Sequence, residues 1–136
     1  MNKAIKCNTL NLKIYVEDTD CQGVVYHANY IKFFERARSE FLATNNISQD
    51  MLRKNNLAFV IKSINIKYLA AAELGDEIEV NSIVQKKSDA RMIFNQKILN
   101  SKTGIEYVDG DVEVCFINLL TKKPQKFPDD LLLIFK

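Results

Sequence analysis

Glycine and proline are scarce in this chain, four and two among 136 residues, and hydrophobic residues make up 47%. No Gly-rich linker, internal repeat or low-complexity tract divides it, so one folded domain over residues 1–136 is expected, with no disordered signature. An excess of either charge is also missing. Nineteen basic residues against seventeen acidic ones leave a net charge of +2, too little for a nucleic-acid footprint, although a local basic patch can still meet an anionic ligand. Nowhere does an apolar run approach the ~20 residues of a membrane span. "MNKAIKCNTLNLKI" at the start has lysines but no continuous apolar core, so no leader and a cytoplasmic location are expected.

Cysteine is sparse and unpatterned. Cys7, Cys21 and Cys115 are odd in number and widely spaced, which argues against a disulfide framework or a zinc site and for reduced thiols. Cys21 lies six residues before His27, the only histidine. An imidazole-activated thiolate is a known nucleophile, but a small lining or core cysteine is the commoner case.

The chain does have clear periodicity. Five stretches alternate with period two: Leu10, Leu12, Ile14, Val16; Ile64, Ile66, Tyr68; Ile78, Val80, Val84; Met92, Phe94, Ile98; and Val112, Val114, Phe116. Polar residues intervene, as in antiparallel strands with one face on a core. "KKSDAR" (86–91) and "NSKTGIE" (100–106) are links of hairpin length, so the last three strands read as a meander. One segment has helical spacing. Tyr30, Phe34, Ala37 and Phe41 form a stripe that Ile31, Phe33 and Leu42 widen, opposite Lys32, Arg36, Ser39 and Glu40, with Arg36 and Glu40 able to pair. A short second helix with Ser48 as N-cap is expected over 47–56, and "PDDLLLIFK" is either a helix or an extended tail. Together these predict an α+β architecture, an antiparallel sheet of five or slightly more strands wrapped around a long apolar helix.

"YVEDTDCQGVVYHANY" (15–30) joins the first strand to that helix. Three chemistries compete for it. "DTDCQG" matches the opening of a calcium-binding EF-hand loop, but its twelfth position is Asn29 rather than a bidentate Glu, and a strand precedes it where a helix is required. The plain alternative is a solvated acidic loop with a satisfied histidine. The third is an acid–base and anion-stabilising site: the acids sit just before a helix N-terminus whose free N–H groups carry partial positive charge. In that reading Asp20 is nucleophile or general base, and the apolar stripe lines a groove for a greasy substrate.

The longer stretch "YVEDTDCQGVVYHANYIKFFERAR" resembles the acyl-CoA thioesterases of the 4-hydroxybenzoyl-CoA thioesterase branch of the hot-dog fold, closest to the Tol-Pal-associated family. The resemblance implies a hot-dog domain with a helix inside a curved antiparallel sheet, and homodimers or homotetramers with active sites at the protomer interface. It makes Asp20 the catalytic carboxylate and aligns the backbone N–H of His27 with the amide that polarises the thioester carbonyl. Gly23 corresponds to the glycine that lets the backbone approach the thioester, while Tyr26 and Asn29 flank the pocket. Cys21 and Gln22 depart from the small residues common there.

The activity this resemblance implies is that of an acyl-CoA thioesterase acting on a short- to medium-chain or aromatic acyl-CoA, or on acyl carrier protein thioesters, with need of neither metal nor organic cofactor. Lys86, Lys87 and Arg91 are candidates for the CoA phosphates, with a solvated turn as the plain reading. Two rivals share the fold: a sensor that binds acyl thioesters without hydrolysis and has no need of Asp20, and a dehydratase, whose order of histidine and acid fits less well.

Overall fold

The computed structural model describes residues 3–136. Its strands are β1 (Ala4–Lys6), β2 (Leu10–Lys13), β3 (Leu57–Tyr68), β4 (Glu77–Lys86), β5 (Arg91–Asn100) and β6 (Glu106–Asn118). The helices are α1 (Asn29–Thr44), α2 (Gln49–Lys54) and α3 (Asp129–Ile134), and a 3-10 turn covers Val16–Asp18. All six strands form one antiparallel sheet in the order β1-β4-β5-β6-β3, with β2 beside β1 along β4.

Period-two alternation puts Ile78, Val80 and Val84 of β4, Met92, Phe94 and Ile98 of β5, and Val108, Val112, Val114 and Phe116 of β6 in the core. From α1 come Tyr30, Phe33, Phe34, Ala37, Phe41 and Leu42. The Phe34 ring of α1 packs against the backbone of Gly110 in β6, where an added Cβ would lie 2.7 Å from Phe34 Cε2 and 3.2 Å from the Asn65 carbonyl. Only glycine gives the Phe34 ring that room.

One charged residue lies in this interface. Arg38, 7% exposed, donates to Gln96 Oε1 at 3.0 Å, and Gln96 Nε2 donates to the Phe34 carbonyl and to Ser82 Oγ. Burial pulls the Arg38 guanidinium below its ordinary pKa. No buried side-chain N or O among the described residues lacks a partner.

Several expectations need correction. Val16 does not extend the first strand: β2 stops at Lys13, and Val16 lies in the 3-10 turn, 73% exposed. The sheet also includes β1, three residues with one large apolar side chain, Ile5, too short for a readable alternation. β3 starts at Leu57, seven residues before the first position with clear alternation. A register shift between Ile61 and Ser63 moves the inward parity from Leu57 and Phe59 to Ile64 and Ile66, so no single period runs the length of the strand. Arg36 and Glu40 form no ion pair; the Arg36 guanidinium lies 5.7 Å from the Phe33 ring instead. Ser48 caps α2 as expected, its Oγ accepting the Met51 N–H. The C-terminal segment is helical, with Leu131 and Phe135 buried and Phe127 stacked between Phe135 and Phe116.

Candidate active site

The acidic segment folds as a small hairpin. Thr19 bridges Val25, the Asp20 N–H donates to the Val24 carbonyl, and the Gly23 N–H closes the bend on the Asp20 carbonyl at 3.1 Å. Gly23 has φ +79 with open space where a Cβ would point, so the turn needs glycine for backbone conformation rather than for room.

Asp18 and Asp20 differ in what they hold. Asp18 Oδ2 accepts the Tyr15 N–H at 2.9 Å, and the Asp18 carbonyl accepts both the Tyr26 N–H and Asn29 Nδ2. It is a structural brace. Asp20 Oδ1 accepts the Gln22 N–H at 2.8 Å. Its second oxygen has no partner among the described residues, and no cation there lies within ion-pair distance of it. The two acids do not converge, and no described cluster of three or more His, Cys, Asp or Glu could hold a metal ion.

Helix α1 starts beside this hairpin. Asn29 is its first residue and ties it down twice, with Nδ2 on the Asp18 carbonyl and N–H on the Tyr26 carbonyl, both at 2.8 Å. The backbone N–H groups of His27 and Ala28, just ahead of it, donate to no acceptor among the described residues. They are free donors at the positive end of a sixteen-residue helix. The His27 imidazole is exposed, 4.6 Å from the Tyr26 ring and 6.2 Å from the Tyr68 ring.

A strap, residues 69–76, supports the hairpin from behind. The Val25 N–H donates to the Ala72 carbonyl, the Leu74 N–H to Gly23 and the Gly75 N–H to Ile14. Two tyrosines secure it. Tyr30 Oη accepts the Ala72 N–H at 3.0 Å, and Tyr107 Oη donates to Asp76 Oδ2 at 2.9 Å. Burial pushes both hydroxyls above the ordinary tyrosine value, so both stay protonated. Sequence periodicity places Tyr68 on the apolar face of a strand; its hydroxyl instead donates to the His27 carbonyl at 3.2 Å. A tyrosine at a strand end is the only sequence signal for that contact, and periodicity does not read it.

The structure thus brings Asp20, Gly23, Tyr26, His27 and Asn29 to one end of α1. Lys86, Lys87 and Arg91, the candidates for the CoA phosphates, are not brought there within the protomer. The hairpin borders the start of β4, through Ile14 and Asp76; the cations lie at and just beyond its far end, roughly 30 Å along a ten-residue strand. Each is already paired: Lys86 with Asp89 at 2.7 Å, Lys87 with Glu113 at 2.9 Å, and Arg91 with Glu113 at 3.6 Å. Cys21 is exposed in the bend, whereas burial pushes the Cys7 thiol up to about 12.

Known proteins resemble this chain in sequence and in fold. The family model described as the thioesterase-like superfamily matches residues 14–135. An acyl-CoA thioesterase YbgC of Haemophilus influenzae is 38% identical over 125 residues, covering 91% of this chain and 90% of its own. An acyl-CoA thioester hydrolase YbgC of Escherichia coli O6:H1 is 34% identical over 92% of each chain. Among solved structures, a 1,4-dihydroxy-2-naphthoyl-CoA thioesterase from Synechocystis superposes with a TM-score of 0.89 over 93% of each chain, and at 21% identity it is a likeness of fold.

Proposed function

From the premise that this chain belongs to the thioesterase-like superfamily, we propose that it hydrolyses the thioester of a short- to medium-chain or aromatic acyl-CoA, with Asp20 as the reacting carboxylate. The superfamily and the acyl-CoA thioesterase relatives make it a thioester hydrolase. One observation carries the role of Asp20: a carboxylate with one oxygen unengaged stands in the hairpin that leads into a helix start with the His27 amide unengaged.

An aspartate is ionised at neutral pH, so Asp20 can attack the thioester carbonyl or take a proton from water. Attack forms an acyl–carboxylate anhydride and expels the CoA thiolate, and water then cleaves the anhydride to the free acid. In the base route, water attacks directly and its proton passes to Asp20; the tetrahedral intermediate then collapses, the C–S bond breaks, and the departing CoA thiolate takes up that proton. On either path negative charge builds on the carbonyl oxygen, and the His27 N–H is the donor that receives it. A donor of this kind is worth about 10²–10³ in rate, and a positioned base about 10²–10⁴. Gly23 keeps the bend open to the thioester, while Tyr26 and Asn29 flank it.

The working unit is a homodimer at minimum, with dimers able to pair into tetramers. β3 is the last strand of the sheet, twelve residues long, with one side unpaired in the protomer and Ile61, Tyr68 and Leu69 exposed along or just beyond it. Three unpaired thiols support a reducing, cytoplasmic compartment. Among the described residues no helix is long and apolar enough to cross a membrane. Release of free thiol across a panel of acyl-CoAs and acyl carrier protein thioesters is the test. Binding without thiol release for every substrate would make the protein a sensor and end the proposal.

A further inference from the structure

Tyr68 ends β3 and is 47% exposed, so the core does not need it. Its polar end nevertheless has a fixed use. The hydroxyl donates to the His27 carbonyl at 3.2 Å, the ring stands edge-on to the His27 imidazole at 89°, and its other neighbour is the buried ring of Tyr30 at 5.9 Å.

A peptide unit is planar and trans, so holding its carbonyl also aims its N–H in the opposite direction. The Asn29 N–H holds the Tyr26 carbonyl, which aims the N–H of His27. Tyr68 holds the His27 carbonyl in the same way, and the N–H on that second unit belongs to Ala28. Neither N–H has an acceptor among the described residues. The Asn29 N–H on the Tyr26 carbonyl closes a turn with His27 and Ala28 at its centre. Ala28 has helical dihedrals, φ −70 and ψ −20, as the second central residue of a type I turn does, and the first central residue of such a turn is helical as well. The two N–H groups therefore run side by side, as successive donors do at the start of a helix.

Resting on the reading that the His27 amide receives the thioester oxygen, we infer that Tyr68 is a positioning residue for the hydrolysis. By holding the His27 carbonyl it aims the Ala28 amide beside that of His27, so the developing oxyanion meets two donors instead of one. The aromatic body alone does not do this; the hydroxyl is required.

Tyr68→Phe removes the hydroxyl and keeps the ring. The probe is an inert analogue of hexanoyl-CoA in which CH₂ replaces the thioester sulfur and the carbonyl carries ¹³C, with its carbonyl stretch read by infrared difference spectroscopy. In the wild type the band moves to lower frequency on binding, and in Tyr68→Phe about half of that displacement is lost. With the best acyl-CoA of the panel, kcat falls about tenfold, a fraction of what deleting a whole donor costs, and KM stays within about twofold. A wild-type displacement that Tyr68→Phe leaves intact, with kcat unchanged, overturns the role of Tyr68 alone. No displacement in the wild type overturns the amide reading and this inference with it. A raised KM at constant kcat makes Tyr68 a pocket wall and also overturns the inference.

Discussion

Strand β4 begins beside the acidic hairpin and ends in the 86–91 turn, and its two ends use charge in opposite ways. At the far end Lys86 pairs with Asp89, and Lys87 and Arg91 share Glu113. At the near end Asp20 has no cation within ion-pair distance among the described residues, and backbone donors rather than side chains occupy the helix start. A cation on Asp20 would stabilise its charge and blunt both its nucleophilicity and its basicity. The turn thus holds its cations on two carboxylates, whereas among the described residues the hairpin carboxylate meets only a backbone donor, the arrangement that the chemistry proposed for Asp20 calls for.

The largest test of this contrast removes the unmatched charge. Asp20→Asn keeps size and polarity, so turnover in the thiol-release assay is expected to fall at least about a hundredfold. The Kd for an acyl-CoA, measured by calorimetry, should change by less than about tenfold, or roughly 1.4 kcal/mol. Near-wild-type hydrolysis would erase the distinction between the two ends. Asp18→Asn comes next. Because Asp18 braces the Tyr15 N–H and does not face an open donor, kcat should drop less than about tenfold; a loss equal to that of Asp20→Asn would mean the two acids work as one unit. Cys21→Ala is expected to keep kcat within about threefold, since no step uses the thiol, and a collapse beyond about 10³ with an intact fold would restore the thiolate–imidazole mechanism.

Smaller effects belong to the far end. Lys87→Ala breaks a pair with Glu113 and should shift KM for acyl-CoA by less than about threefold, because an exposed paired lysine contributes little. A much larger rise in KM would bring this turn to the substrate from a second copy of the chain. Glu113 offers a pH test. The Lys87 hydrogen bond holds its carboxyl below the ordinary value of 4.5. A carboxyl lowered on folding stabilises the fold above its unfolded pKa, and the benefit is lost as pH falls below about 4.5 through the folded value. Tm profiles of wild type and Glu113→Gln should therefore differ near neutral pH and converge in acid; divergence on acidification would reverse the sign.

Much of this layout is legible in the sequence because it depends on short-range periodicity. The stripe from Tyr30 to Phe41 faces the sheet, and β4, β5 and β6 follow their alternation. The acidic segment is a turn joined to a helix start, as its residues imply. The hidden part depends on pairing across sequence distance. The register shift at Ile61/Ser63 breaks the period of β3, and burial of Arg38 requires Gln96, 58 positions away. The hydroxyl of Tyr68 finds the His27 carbonyl 41 residues upstream. The pairing of Lys87 and Arg91 with Glu113 is invisible in "KKSDAR" because the carboxylate comes from another strand.

The ladder between β3 and β6 has a kinetic side. Tyr68 pairs with Val108 and Leu57 with Asn118, so completing it closes loops of roughly 40–60 residues, whereas the β4–β5–β6 meander closes through short turns. Chains with such distant pairings fold more slowly than those built from neighbours. Tyr68 reaches His27 only once that strand docks, so a chain that has collapsed around the meander but not yet seated β3 lacks that contact and, with it, the cradle proposed for the thioester oxygen. Hydrolytic competence should therefore appear as a late event in refolding, after most of the sheet has formed.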